Sequence, residues 1–97
     1  MEIRKTDVFA NWLDKLKDPK AKAKVLVRIT RLADGNPGDV KPVGKGVSEM
    51  RIPYGPGYRV YFVQQRNQLI ILLAGGSKKT QSKDIQTAIT LMENLEL

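Results

Sequence analysis

The sequence predicts one α+β domain spanning residues 1–97, with an antiparallel sheet packed on helices. The length of 97 residues suits one domain with one hydrophobic core. Apolar residues recur at helical spacing near both ends of the chain and alternate with polar residues between them. The resulting order is β-α-α-β-β-β-α with short connections. Such grouping predicts helices on one face of a meander sheet.

The N-terminal third contains a predicted strand and two predicted helices. Residues 1–5 alternate weakly, as in a short strand. Thr6 can cap a helix, and Asp18-Pro19 predicts the start of another, because Asp caps helices and Pro suits the first helical position. The second helix is expected to end near Ala33, before the breakers at 35–38. The first helix has these apolar positions at helical spacing: Val8, Phe9, Trp12, Leu13 and Leu16.

The second helix divides into an apolar and a basic face. Its apolar face carries Val25, Ile29, Leu32 and Ala33. Its basic side chains fall within an arc of roughly 80°: Lys20, Lys24, Arg28 and Arg31. Any one of these residues is explained by a helix face exposed to solvent. As a set, they are suited to binding the phosphate backbone of a nucleic acid.

The segment 47–74 predicts three strands of an antiparallel meander. Residues 47–53 and those from Tyr58 onward alternate, with turns at 54–57 and 65–68. Residues 69–74 are apolar throughout, which indicates a strand covered on both sides. Residues 75–80 are expected to form a flexible basic loop. A final helix is predicted to begin near Ser82 or Lys83 and to bury Ile85, Ala88, Ile89, Met92 and Leu95.

Alternation in the first two of these strands collects chemically useful side chains on one surface. The helices are expected to cover Met50, Ile52, Val60 and Phe62. The other face would then display a carboxylate, two guanidiniums and a phenol: Glu49, Arg51, Arg59 and Tyr61. This prediction depends on the period-two pattern holding through both strands.

Charge and composition narrow the class of function. The net charge is +7, and residues 19–42 and 43–83 contribute +4 and +6. A nucleic acid is the expected polyanionic partner, although positive charge can also serve solubility alone. Because the chain has neither cysteine nor histidine, we expect no disulfide and no metal site built on thiolate or imidazole ligands. We also expect no other metal site and no cofactor. The longest apolar run, 69–74, cannot span a bilayer, and no signal peptide is apparent, so we expect a cytoplasmic protein without membrane contact.

Cleavage of RNA by transesterification needs a base, a cation and an acid. Glu49 is the natural candidate base, and Arg59 suits a bidentate phosphate contact. Lys78 or Lys79 can neutralise or protonate the leaving oxygen, and Tyr61 can orient a group or stack a base. The alternative is a purely structural cross-strand cluster of Glu49, Arg51 and Arg59. Further RNA contacts are predicted for the basic helix together with Lys45 and Lys83.

Three stretches of the sequence resemble a known family. They are residues 46–52, residues 55–62 with the run Gly-Tyr-Arg-Val-Tyr, and residues 73–85 with Lys-Lys-Thr-Gln-Ser-Lys-Asp-Ile. In these stretches, and in length and element order, the chain resembles the phage-derived killer proteins of addiction modules, a HigB-like group within the RelE/ParE superfamily.

The resemblance implies a RelE-like fold and a ribosome-dependent endoribonuclease that cuts messenger RNA and needs no metal. It also implies a helix-turn-helix antitoxin, with operator DNA bound only through the antitoxin complex. Arg59 matches the family's catalytic arginine, while Glu49 and Arg51 fall in a strand that supplies catalytic groups in relatives. Lys78 and Lys79 lie near another basic position. The chain departs from the pattern at its C-terminus, where RelE-type enzymes often carry a catalytic Tyr or His.

Two other functions remain open at this point. One is a ParE-like, non-enzymatic toxin that inhibits DNA gyrase on the same fold. The other is a module that only represses its own operon through the basic helix.

Overall fold

The computed structural model describes residues 1–95 and confirms a mixed α+β architecture. Within these residues, a sheet of five strands carries three helices and one short 3₁₀ turn. None of the helices described is long and apolar enough to cross a membrane. In chain order the elements are β1 (Glu2–Lys5), α1 (Asp7–Asp14), α2 (Pro19–Ala33), β2 (Val40–Gly44), β3 (Val47–Ile52), β4 (Tyr58–Gln65), β5 (Leu69–Ser77), the 3₁₀ turn (Lys78–Thr80) and α3 (Gln81–Glu93).

The sheet has the spatial order β1-β5-β4-β3-β2. β1 runs parallel to β5, and the remaining neighbours are antiparallel. The predicted meander is therefore present, but it is preceded by β2, which we did not predict. Pro42 and Gly44 weaken the strand pattern there, because Pro cannot donate to a neighbouring strand and both residues favour edges or bulges.

Both N-terminal helices begin where the sequence predicts, and α2 ends at the predicted Ala33, but α1 ends at Asp14, before the predicted position Leu16. The Thr6 hydroxyl accepts a hydrogen bond of 3.1 Å from the Phe9 N–H and donates one of 2.6 Å to the Leu73 carbonyl. This single side chain both caps α1 and fixes it to β5. Asp18 caps α2 by accepting from the Lys20 N–H at 2.9 Å, and Pro19 occupies the first turn.

Helices cover both faces of the sheet, so the expectation that all of them lie on one face was wrong. On one face α1 and α2 enclose the predicted strand residues Met50, Ile52, Val60 and Phe62. On the other face α3 packs its apolar stripe, with Ala88 fully buried, over Val47, Tyr61 and Leu73. β5 is apolar on both faces and therefore needs a helix on each.

β5 has a bulge in its middle, and the two glycines that follow the bulge lie against side chains of α1 and α3. Tyr61 pairs with Ala74 whereas Phe62 pairs with Leu72, so Leu73 is an extra residue. Beyond the bulge, a Cβ atom at Gly75 would overlap the Trp12 ring, and one at Gly76 would overlap the Asp84 carboxylate. Residues 75–77 are thus part of β5, and the predicted flexible loop is limited to the 3₁₀ turn that follows.

Candidate functional site

The register of β3 and β4 places the predicted catalytic residues side by side. Glu49 lies opposite Tyr61, and Arg51 lies opposite Arg59. Since all four occupy alternate positions on two adjacent strands, their side chains start from the same face of the sheet. The predicted juxtaposition is present, and it lies on the face that α3 covers.

The Glu49 carboxylate is the centre of a buried polar cluster. Its Oε2 atom accepts hydrogen bonds from the Tyr61 hydroxyl at 3.0 Å and from the Gln81 side-chain amide at 2.9 Å. Arg59 Nε lies 3.6 Å from the same oxygen, and Lys41 Nζ lies 3.9 Å from Oε1. Among the described residues, Oε1 itself has no hydrogen-bond partner. We call Glu49, Tyr61, Gln81 and Arg59 the Glu49 cluster.

The expectation that the sheet displays these groups to solvent was wrong for Glu49, Tyr61 and Arg59, whereas Arg51 is partly exposed. Glu49 and Tyr61 have no exposed surface, and Arg59 is 8 % exposed. The cause is α3, whose first residue, Gln81, hydrogen-bonds directly to Glu49. A ribose hydroxyl therefore has no access to Glu49 unless the start of α3 moves.

Arg59 links this buried cluster to the edge of the protein. Its Nη1 donates to the Gly57 carbonyl at 3.3 Å, and the Lys78 N–H donates to the same carbonyl at 2.8 Å. A Cβ at Gly57 would lie 3.6 Å from Arg59 Nη1 and 3.8 Å from the Lys78 Cβ. The guanidinium thus ends next to the backbone that carries Lys78 and Lys79, whose side chains are exposed. We call Arg59, Lys78 and Lys79 the cationic edge.

Tyr61 acts within the cluster as a hydrogen-bond donor. Burial raises the pKa of the Tyr61 phenol well above its ordinary value, and the hydrogen bond to Glu49 raises it further. The phenol is therefore protonated at neutral pH and can donate to the carboxylate. Because Tyr61 is fully buried, it orients Glu49 and offers no surface on which an RNA base could stack.

Arg51 is half-buried and is directed towards a different partner. Its Nη2 atom lies 3.3 Å from Asp39, which precedes β2. The sequence also allowed a purely structural ion cluster of Glu49, Arg51 and Arg59. Of these three residues, Glu49 and Arg59 form an ion pair, whereas Arg51 pairs with Asp39 at the surface.

The predicted RNA-binding residues do not converge on one surface. Lys20, Lys24, Arg28 and Arg31 belong to α2, which packs on the sheet face opposite α3. Arg28 is used structurally, since it donates to the carbonyls of Arg51 at 2.6 Å and Pro37 at 3.1 Å. Lys45 lies in the turn between β2 and β3 with a positive φ of 56°. Lys83 is exposed in the first turn of α3.

Sequence reasoning missed Gln81, Lys41 and Asp84. Gln81 lies four residues before Ile85, on the inward stripe of α3, so helical spacing could have placed it on the sheet. Asp84 accepts from the Thr80 hydroxyl at 2.5 Å and packs against Gly76. Lys41 was missed because β2 was missed. Within residues 1–95, the acidic side chains do not form a group of three that could hold a metal ion.

Comparison with known proteins identifies the family. The pattern of the family described as "Phage derived protein Gp49-like (DUF891)" matches residues 11–93. The chain belongs to this Gp49-like family. It is a family associated with the toxins of toxin–antitoxin modules. The Gp49-like chain is also 50% identical over 97 residues to a Haemophilus influenzae protein described as uncharacterized, and the match covers 100% of this chain and 98% of that protein.

Proposed function

We propose that this Gp49-like chain is a HigB-like toxin that cleaves messenger RNA on the ribosome by metal-independent transesterification. The cationic edge carries the proposal: Arg59 lies beside a buried carboxylate and donates to the Gly57 carbonyl, which also accepts from the backbone N–H of the exposed residue Lys78. The exposed residue Lys79 follows in the chain. Three cations at one edge suit a phosphodiester whose negative charge increases in the transition state. The family's association with toxin–antitoxin modules supports the biological setting.

In the proposed reaction the ribose 2′-oxygen attacks the adjacent phosphorus. The bond from phosphorus to the 5′-oxygen then breaks, which leaves a 2′,3′-cyclic phosphate and a 5′-hydroxyl. Arg59 stabilises the extra charge on the pentacoordinate phosphorus. Lys78 or Lys79 donates the proton that the leaving 5′-oxygen takes up.

The proton of the 2′-hydroxyl needs another acceptor, and Glu49 is poorly placed for that task. Its carboxylate is fully buried under Gln81 and already accepts two hydrogen bonds. We propose that Glu49 is a positioning residue that orients Arg59, and that water or a ribosomal group accepts the proton. If the chain itself supplies no general base, cleavage depends on the ribosome for the group that accepts this proton. The proposed place of action is therefore the cytoplasm.

The test is to induce expression in growing cells and to map the ends of messenger RNA. We expect growth arrest with discrete breaks inside translated regions for the wild type, and neither effect for Arg59→Ala. Lys17→Ala, at an exposed lysine before α2, is the matched control and should behave as wild type. Growth arrest with uncut transcripts would reject the nuclease.

The second candidate is a ParE-like, non-enzymatic toxin that inhibits DNA gyrase. The observation that favours it is the burial of Glu49 and Tyr61, which leaves no accessible carboxylate among the four predicted sheet residues. Gyrase–DNA cleavage complexes that accumulate in toxin-expressing cells would support this candidate. Their absence, together with breaks in messenger RNA, would exclude it.

The proposed antitoxin is a helix-turn-helix protein that covers the cationic edge or displaces the acidic C-terminal segment 84–97, of which residues 96 and 97 lie outside the described part. Operator DNA would then be bound only through the complex. Crosslinks from the antitoxin that map to α1 alone would contradict this arrangement.

A further inference from the structure

A groove lies between α2 and the turn that follows β3, and the proposed nuclease does not use it. Its volume is about 380 Å³, within the range of pockets that accept a large side chain or a small ligand. It opens on the α1–α2 side of the sheet, whereas the Glu49 cluster lies under α3 on the other side. The lining residues that matter here are Val27, Pro53 and Tyr54, and Lys24, Arg28 and Arg31.

The floor of the groove is apolar although it lies on the outer side of a basic helix. Val27 is 48% exposed and lines the groove together with Pro53 and Tyr54. Its neighbour Leu26 is 46% exposed but does not line the groove. The solvent-facing side of an amphipathic helix is normally polar. Exposed aliphatic side chains in a concave, charge-rimmed site indicate a binding surface.

The rim of the groove is positive, and the acidic residue Asp18 beside it has other hydrogen-bond partners. The ion pairs found in residues 1–95 involve none of Lys24, Arg28 and Arg31. The nearby Asp18 is already engaged, because it accepts from the Tyr54 hydroxyl at 3.0 Å and from the Lys20 N–H at 2.9 Å. Because Arg28 donates to two backbone carbonyls, Lys24 and Arg31 are the rim side chains that can pair with a negatively charged partner.

We propose that this groove binds an acidic segment of a protein partner, which inserts one large apolar side chain against Val27, Pro53 and Tyr54. On either side of this apolar side chain, carboxylates of the partner form ion pairs with Lys24 and Arg31. The apolar floor favours peptide over RNA, since phosphates and sugars gain little from Val27 and Pro53.

The test uses the full chain and two synthetic fluorescent peptides, a glutamate-rich peptide with a central pair of leucines and the same peptide with serines instead. We expect the leucine peptide to bind at least about tenfold more tightly, which corresponds to about 1.4 kcal/mol. Val27→Asp should weaken its binding about tenfold, and the matched change Leu26→Asp should leave it unchanged. Arg31→Glu should weaken binding where Lys17→Glu does not.

Circular dichroism of each variant checks that α2 remains folded. Equal binding of the two peptides, or equal effects of the changes at residues 26 and 27, would overturn the proposal. So would a lack of measurable binding of the leucine peptide. Displacement of the peptide by a short single-stranded RNA, with the same response to Val27→Asp, would assign the groove to RNA and overturn it as well. These outcomes are independent of messenger RNA cleavage, so the groove and the nuclease are tested separately.

Discussion

At the scale of single residues, the molecule depends on a carboxylate that has no contact with solvent. Glu49 accepts from Tyr61 and Gln81 and lies 3.6 Å from Arg59 Nε. Removal of one partner of a buried ion pair leaves the other charge desolvated and unpaired, which is more costly than loss of a surface pair. Glu49 therefore has a structural task whether or not it takes part in catalysis.

We predict that Glu49→Ala lowers the free energy of unfolding by about 3 kcal/mol. Asp39→Ala, which removes the exposed partner of Arg51, is the matched control and should cost less than about 1 kcal/mol. Urea unfolding followed by circular dichroism measures both values. A similar small loss in the two variants would contradict the role of Glu49 as the anchor of Arg59.

The Tyr61 phenol predicts how stability depends on alkaline pH. Its pKa is raised in the folded protein, chiefly by burial and then by the hydrogen bond to Glu49. A raised folded-state pKa means that the stabilisation is complete below the unfolded-state pKa of about 10 and is lost as the pH rises above it. We expect the urea concentration at the midpoint of unfolding to fall as the pH rises above about 10, and to fall less for Tyr61→Phe than for the wild type. Parallel curves for the two proteins would contradict this prediction.

At the scale of elements, periodicity predicted which residues of β3 and β4 share a face, and it could not predict what covers that face. Met50 and Val60 meet α1 and α2 as expected. The apolar stripe of α3 was also expected to be buried, but a stripe only says that a helix packs somewhere. The side of the sheet is decided by how the chain leaves β5, and the bulge at Leu73 and the short 3₁₀ turn are not evident from hydrophobic spacing.

For the candidate site as well, the sequence predicted which residues of adjacent strands lie close together but not which other elements contact them. Cross-strand neighbours such as Glu49 and Arg59 follow from local alternation. Gln81 and Lys41 come from α3 and β2, and their approach to Glu49 depends on tertiary packing that local patterns do not encode. The sequence therefore predicted the strand residues of the Glu49 cluster, but it predicted neither Gln81 nor the burial of the cluster.

Gly76, the next-to-last residue of β5, provides a test at this scale. A side chain at Gly76 would collide with the Asp84 carboxylate at the start of α3. We predict that Gly76→Ala destabilises the protein by about 1–3 kcal/mol, as overpacking does. In the double variant with Asp84→Ala the loss should be smaller than the sum of the single losses, because the colliding group is gone. Additive losses, measured by urea unfolding, would show that Gly76 matters for another reason.

At the scale of the whole molecule, the sheet separates two basic surfaces. The cationic edge adjoins α3, and the charges of α2 lie across the sheet around an apolar groove. A net charge of +7 attracts polyanions to both, but only contacts that neutralise phosphates release counterions on binding. Salt dependence can therefore distinguish the surface that touches RNA from the one that does not.

We predict that the affinity for ribosomes falls linearly with salt on logarithmic axes and that the double variant Lys78→Gln and Lys79→Gln lowers the slope by about 1 to 2. Lys24→Gln, the matched loss of one charge on α2, should leave the slope unchanged, since the groove is proposed to bind protein. Sedimentation of ribosomes with bound toxin over a range of salt concentrations gives these slopes. The contrary result is that Lys24→Gln lowers the slope as much per charge as the double variant at Lys78 and Lys79. That result would show that the RNA contact extends over α2, and it would contradict the assignment of RNA to the cationic edge and of protein to the groove.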